Sequence, residues 1–351
     1  MNRRRVLASV AHLAALPLLG ALSAPLLAQV PSGKVGPVPY PQRPEVQEFI
    51  DELVRTHGLA REEIERVFAQ ARYSEQAERL TTPSLTPPAA RNWVDYRARN
   101  VDEGRIGDGA LFLRQQRLAL ARAGEQYGVP PEVIAGILGI ETRFGRVTGS
   151  FRTIDVLLTL AFDYTRRAAL YREELAHFLL LCAEQGIDPL AQRGSFAGAV
   201  GLPQFMPGSI RRWAVDFDND GRVDLRTRDD AVGSVGSFLA AHGWQRELPI
   251  QFRAAVSADD APVQDLLGRG ITAIFPWREV AALGVRIDGE LDADARVLLM
   301  DLPWRTASGS EGVEYRIGTV NMQALLHYNR SYFYGAAVAD LARAIRLRAT
   351  A

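Results

Sequence analysis

Residues 130–145 read PPEVIAGILGIETRFG, and this stretch decides how the rest of the chain is read. Pro130 and Pro131 suit the first turn of a helix, where a missing N–H costs nothing, and Gly145 suits its end. Between them Val133, Ile134, Ile137, Leu138 and Ile140 make the helix apolar on nearly all sides, so burial is expected. One carboxylate, Glu141, closes the apolar run, with Phe144 just beyond it. A carboxylate held against apolar neighbours loses hydration, and its pKa rises. A raised pKa is what a general acid needs to protonate a glycosidic oxygen near neutral pH. Taken alone, the segment favours a blander reading, a solvated helix-end glutamate paired with Arg143 or Arg146.

A second segment stands out. Residues 194–207, GSFAGAVGLPQFMP, are rich in glycine around a single amide side chain, Gln204. Gly198 and Gly201 would let backbone approach a neighbouring group closely, and Gln204 offers both a donor and an acceptor. A tight turn before a helix would explain the glycines but not the glutamine.

Outward from these two segments the periodicity is mostly helical. EVQEFIDELVRTHG (45–58) sets Val46, Phe49, Ile50, Leu53 and Val54 on one face, and REEIERVFAQAR (61–72) follows as a second helix. ALFLRQQRLALARAGEQYG (110–128) reads as one longer amphipathic helix, and TTPSLTPPAARNW (81–93) as a proline-broken loop. IDVLLTLAFDY, AALYREELAHFLLLCAEQG, SIRRWAVDF and DAVGSVGSFLAAHGW continue the helical pattern. After Trp244 the texture changes to short, partly alternating strands (LPIQFRAAV, GVRIDG, RVLLMDL, VEYRIG) with a small helix near PVQDLLGRG. VNMQALLHYNRS and FYGAAVADLARAIRLR return to helix. The fold class is therefore mainly α (α+β), with a small β subdomain inserted at 247–316.

Composition narrows the function. Lysine plus arginine and aspartate plus glutamate both number 41, and the sequence pI is near 7.0, so no positive field exists to hold nucleic acid or an anionic membrane. The lone cysteine, Cys182, lies in the apolar run FLLLCA and reads as a buried small hydrophobe. It leaves no internal disulfide and no cysteine cluster for zinc or iron–sulfur. No organic cofactor is expected, and a monomer is. Residues 1–28 have a basic start (Arg3, Arg4, Arg5) and an apolar, proline-broken run ending in LLAQV, the layout of a secretory signal peptide. An uncleaved membrane anchor is the rival reading; no cysteine follows the run to make a lipoprotein, and RRRVL weakly resembles a twin-arginine signal. Export to the periplasm is expected, followed by a proline- and glycine-rich linker at 29–44.

DFDNDGRVDL (216–225) reproduces the first half of an EF-hand loop. Asp216, Asp218 and Asp220 fall at positions 1, 3 and 5, Gly221 makes the turn, and Arg222 offers its carbonyl at position 7. Position 12 is Thr227 instead of glutamate, which excludes a standard EF-hand, but Asp230 could close a longer loop. A structural calcium ion is expected ahead of sodium or magnesium; an acidic surface turn is the alternative.

GILGIETRFGR (136–146) paired with the glycine-rich segment resembles the signature of the lysozyme-like lytic transglycosylases. YTRRAALYREEL (164–175), the acidic loop, AHGW (241–244) and HYNRSYFYGAAV (327–338) resemble the lytic murein transglycosylase B family, from about Pro44 to the chain end. The resemblance implies a lysozyme-like core at 127–246, completed by 317–335, beside a helical domain at 45–126 completed by 336–351. It implies cleavage of the β-1,4 bond between N-acetylmuramic acid and N-acetylglucosamine in peptidoglycan glycan strands, with 1,6-anhydromuramic ends and other cell-wall enzymes as possible partners. It places Ser195, Gln204, Phe205 and Met206 along the cleft, with Gly198 and Gly201 letting backbone approach the sugar chain and Gln204 bonding an N-acetyl or hydroxyl group, and it sets Arg166 and Arg167 against lactyl or peptide carboxylates. Tyr96, Tyr328 and Tyr334 would meet sugars, and Phe238 stands where the family prefers a tyrosine. It supports Asp230 as the residue closing the cation loop. Most glycosidases need two carboxylates ~5–10 Å apart. Here the motifs supply only Glu141, with Asp155 and Asp163 as candidates by sequence proximity. Two further readings stay open: a lysozyme-type hydrolase, and a non-catalytic, calcium-stabilised wall-binding protein.

Overall fold

A computed structural model describes residues 38–82, 92–256 and 261–350. The expected signal peptide, the linker as far as residue 37 and residues 83–91 of the proline-broken loop lie outside the described residues. Helices α1 (Pro44–His57), α2 (Arg61–Ala69) and α3 (Glu75–Thr81) lead into α4 (Trp93–Asn100), α5 (Glu103–Gln115) and α6 (Arg117–Tyr127). The buried helix α7 (Pro131–Thr142) follows, then β1 (Phe151–Arg152), α8 (Thr153–Phe162), α9 (Ala168–Gln185) and β2 (Arg193–Gly194). α10 (Pro207–Trp213) and α11 (Arg228–Ala241) flank the acidic loop.

The inserted region holds β3 (Gln251–Ala255), α12 (Ala261–Gly268), β4 (Phe275–Pro276), α13 (Trp277–Ala282), β5 (Arg286–Ile287), β6 (Arg296–Arg305) and β7 (Glu311–Gly318). Its strands form one antiparallel sheet in the order β4-β6-β7-β3-β5, with Leu298 opposite Gly318 and Arg305 opposite Glu311. β6 runs on through Pro303, beyond the expected stretch; β4 pairs only with its first two residues, so Pro303 lies where β6 has β7 as its single neighbour. α14 (Val320–Tyr328) and α15 (Tyr332–Thr350) close the chain.

Two helical cores result. Val46, Phe49, Ile50 and Leu53 of α1 and Ile64, Val67 and Phe68 of α2 pack on the apolar faces of α8 and α9. α5, α6, α7, α10, α11, α14 and α15 share the other. The expected unit 45–126 is thus divided: its first half serves α8 and α9, its second half α7 and α15. The expected single helix at 110–128 breaks at Gln116, whose backbone (φ −104°, ψ 23°) leaves the helical region, so α5 can lie on α7 and α15 while α6 lies on α11. The end of the expected linker is anchored: Tyr40 is buried, its hydroxyl donates to Asp163 at 2.8 Å, and Arg43 pairs with the same carboxylate at 2.6 Å.

The β subdomain is bound to the helices through charge as well as apolar contact. Arg316 of β7, 4% exposed, bonds Asp340 of α15 at 2.7 and 3.1 Å and Glu314 at 2.7 Å. Asp340 also accepts from Arg97 of α4 at 2.7 Å, and Trp93 of α4 donates its indole N–H to Glu314 at 3.1 Å.

Candidate active site

Glu141 lies in the last turn of α7, half-buried, with the core at its back. Loss of hydration is the largest influence on its carboxyl, which is pushed up to about 7 from the usual 4.5. The negative end of the α7 dipole acts in the same direction. Tyr334 pulls partly back: its buried hydroxyl approaches Glu141 without completing a hydrogen bond of normal geometry. The two arginines that could have neutralised Glu141 are engaged elsewhere. Arg143 lies 3.9 Å from Asp102, and Arg146 pairs with Asp108 at 2.7 Å. The solvated ion-pair reading is therefore not what the fold builds.

Tyr96, Tyr328 and Tyr334 converge on this carboxyl from α4, α14 and α15. Each phenol is held well above its usual range, first by burial and then by the nearby Glu141 charge. Tyr328 and Tyr334 stack at 6.2 Å, and Tyr328 donates its hydroxyl to the Pro203 carbonyl. That bond ties α14 to the glycine-rich segment. On the other side, Thr142 Oγ1 donates to the Leu202 carbonyl at 2.8 Å, so the residue after Glu141 is fastened to the same wall.

In that wall the side-chain N–H groups of Gln204 go to the Thr148 and Gly201 carbonyls, at 3.1 and 2.8 Å. Both neighbours are acceptors, so the amide nitrogen must face them, and Oε1 is left to accept from a ligand. Ser195 Oγ accepts from Ala197 and Ala199 N–H at 3.3 and 3.1 Å; it braces the turn and keeps its own O–H to donate. Phe205 is 3% exposed and packs on Phe238 and Tyr328, so it supports the wall from behind, where a contact face was expected. Met206 is half-buried at the start of α10 and packs toward the α8–α9 core. Gly198 and Gly201 have φ of 89° and 76°, but what presses on them is protein: an added Cβ would lie 2.6 Å from Leu157 and 2.5 Å from Leu225. Their task is close packing, which corrects the expectation of a close approach to sugar.

Arg166 and Arg167 form a short 3-10 turn between α8 and α9, with Arg166 exposed and Arg167 half-buried. The turn packs against α8 and α9. Asp155 accepts from Arg152 and from the Arg72 N–H, and Asp163 from Tyr40 and Arg43. Both are structural carboxylates of the α8 ends, and neither is available as a partner for Glu141. Sequence reading did not single out Trp213, His242 and His327. Their rings adjoin, with Trp213 4.6 Å and His327 4.7 Å from His242, and Phe238, 4.1 Å from His242 and 4.9 Å from Tyr328, links them to the site. They come from the ends of three helices, so no local motif could have joined them.

In the acidic loop, carboxylate oxygens of Asp216, Asp218 and Asp230 lie within 4.8 Å of one another. Asp230 is 1% exposed and accepts the Phe217 and Asp224 N–H groups, both at 2.7 Å. Arg226 is paired with Asp224 at 2.8 Å, and Arg228 with Gln115 at 3.0 Å, so neither neutralises the three. A hard, oxygen-only donor set of this kind fits calcium. Asp220 accepts the Arg222 N–H at 2.9 Å and stands outside this group of three.

Known proteins resemble this chain over most of its length. The family described as transglycosylase SLT domain matches residues 41–343. Membrane-bound lytic murein transglycosylase B of Escherichia coli (strain K12) is 36% identical over 315 residues, which are 88% of this chain and 84% of that protein. Among solved structures, the soluble lytic transglycosylase SltB1 of Pseudomonas aeruginosa superposes with a TM-score of 0.79 at 38% identity, covering 88% of this chain and all (100%) of that one. Escherichia coli lytic transglycosylase Slt35 in complex with calcium gives 0.78 at 36%, covering 88% and 95%. The more distant SltB3 of Pseudomonas aeruginosa, in complex with NAG-anhNAM-pentapeptide, gives 0.71 at 26%, covering 86% and 78%.

Proposed function

The chain belongs to the transglycosylase SLT-domain family of peptidoglycan lytic transglycosylases, and from that membership we propose that Glu141 alone, as acid and then base, cleaves the β-1,4 bond between N-acetylmuramic acid and N-acetylglucosamine. The observation that carries the reading is a buried carboxyl pushed up to about 7, with no cationic partner among the described residues and with Asp155 and Asp163 committed elsewhere. The protonated Glu141 gives its proton to the glycosidic oxygen as the bond to the anomeric carbon breaks. The substrate's N-acetyl group stabilises the resulting cation, and Gln204 Oε1 accepts an amide N–H to hold the sugar. Glu141, now a carboxylate, removes the proton of the muramic 6-hydroxyl, whose oxygen closes on the anomeric carbon and gives the 1,6-anhydro end. An oriented hydroxyl can outcompete water because its effective molarity reaches ~10⁵ M or more. That the relative SltB3 holds NAG-anhNAM-pentapeptide supports this product.

The same reading gives Asp216, Asp218 and Asp230 a calcium ion that neutralises their crowded charge and fixes the loop between α10 and α11, as the calcium complex of Slt35 supports. Export to the periplasm accords with a cell-wall substrate and with relatives of the bacterial envelope. Among the described residues no helix is long and apolar enough to cross a membrane. The test is mass spectrometry of digested peptidoglycan. Ends lighter by one water are expected; reducing ends would instead identify a lysozyme-type hydrolase, and no digestion would favour a wall-binding protein.

A further inference from the structure

We propose that Arg105 is a positioning residue of the active site: its buried guanidinium holds the last turn of α7, and with it Glu141, in place against the helix that carries Tyr96. The proposal rests on Glu141 being the acid and base. Arg105 stands in the first turn of α5, and its side chain is 6% exposed. A buried guanidinium must find partners for its N–H groups. Here Nε donates to the Gly139 carbonyl at 2.9 Å, and Nη1 donates to the Arg99 carbonyl at 2.6 Å and to Asp102 at 2.9 Å. Gly139 is two residues before Glu141 on α7, and Arg99 is three after Tyr96 on α4. One side chain thus spans the two elements that bring a carboxyl and a phenol together.

The end of α7 needs such a brace. Arg143 and Phe144 both lie in the left-handed region, at φ 51° and 59°. Neither residue type favours that region, and strain of this kind persists only where the surroundings over-determine it. Thr142 is tied to Leu202 on one side, and Arg105 to Gly139 on the other. The Gly139 carbonyl also accepts the Arg143 N–H at 3.2 Å, so it sits at the point where the chain leaves the helix. α4 is eight residues long, and Arg105 holds a carbonyl in its last turn. The cation also complements the carbonyl ends of α4 and α7. Only a planar fork reaches all three partners; an ammonium is a single point.

The experiment measures kcat and KM of Arg105→Met and Arg105→Lys on purified peptidoglycan. Leu175→Ala, a fully buried change in the other core, serves as a control for loss of stability, and Glu141→Gln is measured beside them. A displacement of ~1 Å can cost about a hundredfold. Arg105→Met should therefore lose about 10- to 100-fold in kcat per folded molecule with KM within twofold, and Arg105→Lys should recover part of the loss. Leu175→Ala should keep its kcat per folded molecule. Wild-type kcat in folded Arg105→Met, or a loss no larger than that of Leu175→Ala, overturns the proposal. Should Arg105→Met not fold, an unchanged kcat in Arg105→Lys overturns it equally. Activity surviving in Glu141→Gln would instead overturn the catalytic assignment itself.

Discussion

Replacing Glu141 with glutamine should inactivate the enzyme and stabilise it at the same time. The amide keeps the shape but can neither give nor take the proton, and general acid–base catalysis alone contributes ~10²–10⁴-fold. The stability effect follows from burial. The folded protein keeps the carboxyl protonated to a higher pH than the unfolded chain does, about 7 against ~4.3. Its contribution to stability is fully present below about pH 4.3 and is lost as the pH rises through about 7. The full gap corresponds to roughly 4 kcal/mol at 1.36 kcal/mol per pH unit, and the partial exposure of Glu141 screens it to about 1–2 kcal/mol. Glu141→Gln should therefore be more stable than wild type by about 1–2 kcal/mol at pH 8 and nearly equal at pH 5. At about 2–4 °C per kcal/mol for chains of 150–250 residues, calorimetry at the two pH values resolves this. A Tm difference that is the same at pH 5 and pH 8, or clearing of a peptidoglycan suspension at near the wild-type rate, would refute the reasoning.

Three other outcomes are expected. Because the first step needs protonated Glu141, log kcat/KM should fall above about pH 7; a profile flat to pH 9 contradicts that role. Calcium should raise Tm and a chelator lower it, by ~2.7 kcal/mol of stability at a hundredfold excess over the dissociation constant. Asp218→Asn should remove most of the difference and Asp220→Asn little of it, so equal effects would contradict the three-carboxylate site. Gln204→Ala should slow turnover and shift some product from anhydro to reducing ends, read by chromatography with mass detection; slower turnover with purely anhydro ends would mean that Gln204 only binds.

What could be read from the sequence was whatever is carried by local pattern. The apolar run before Glu141, the single amide of the glycine-rich segment and the alternating aspartates of the loop are all visible within a dozen residues. The tyrosines could be chosen only by resemblance, since their meeting at Glu141 joins helices far apart in the chain. Pattern could not say what a residue faces. Gly198 and Gly201 look like open backbone until Leu157 and Leu225 are seen against them. Phe205 looks like a cleft residue until Phe238 and Tyr328 cover it. Amphipathic faces on α1 and α2 announce burial but not their partner, which proved to be α8 and α9. The left-handed pair Arg143–Phe144 was hidden for another reason: neither residue type favours that conformation, and only tertiary bonds impose it.

The Arg316–Asp340–Arg97 network gives the inserted sheet a role in the economy of the whole chain. Had β7 met α15 through apolar contact alone, the insertion could be excised and the cut surface made polar, leaving a smaller enzyme. Instead, excision takes Arg316 from Asp340 and Glu314 from the Trp93 indole. Removing one partner of a buried ion pair costs about 3–5 kcal/mol. The damage would fall on α4 and α15, the helices that carry Tyr96 and Tyr334. A trimmed version would keep only the half-exposed Arg97 beside Asp340 and would need a buried cation in place of Arg316 to hold α4 and α15 as they stand.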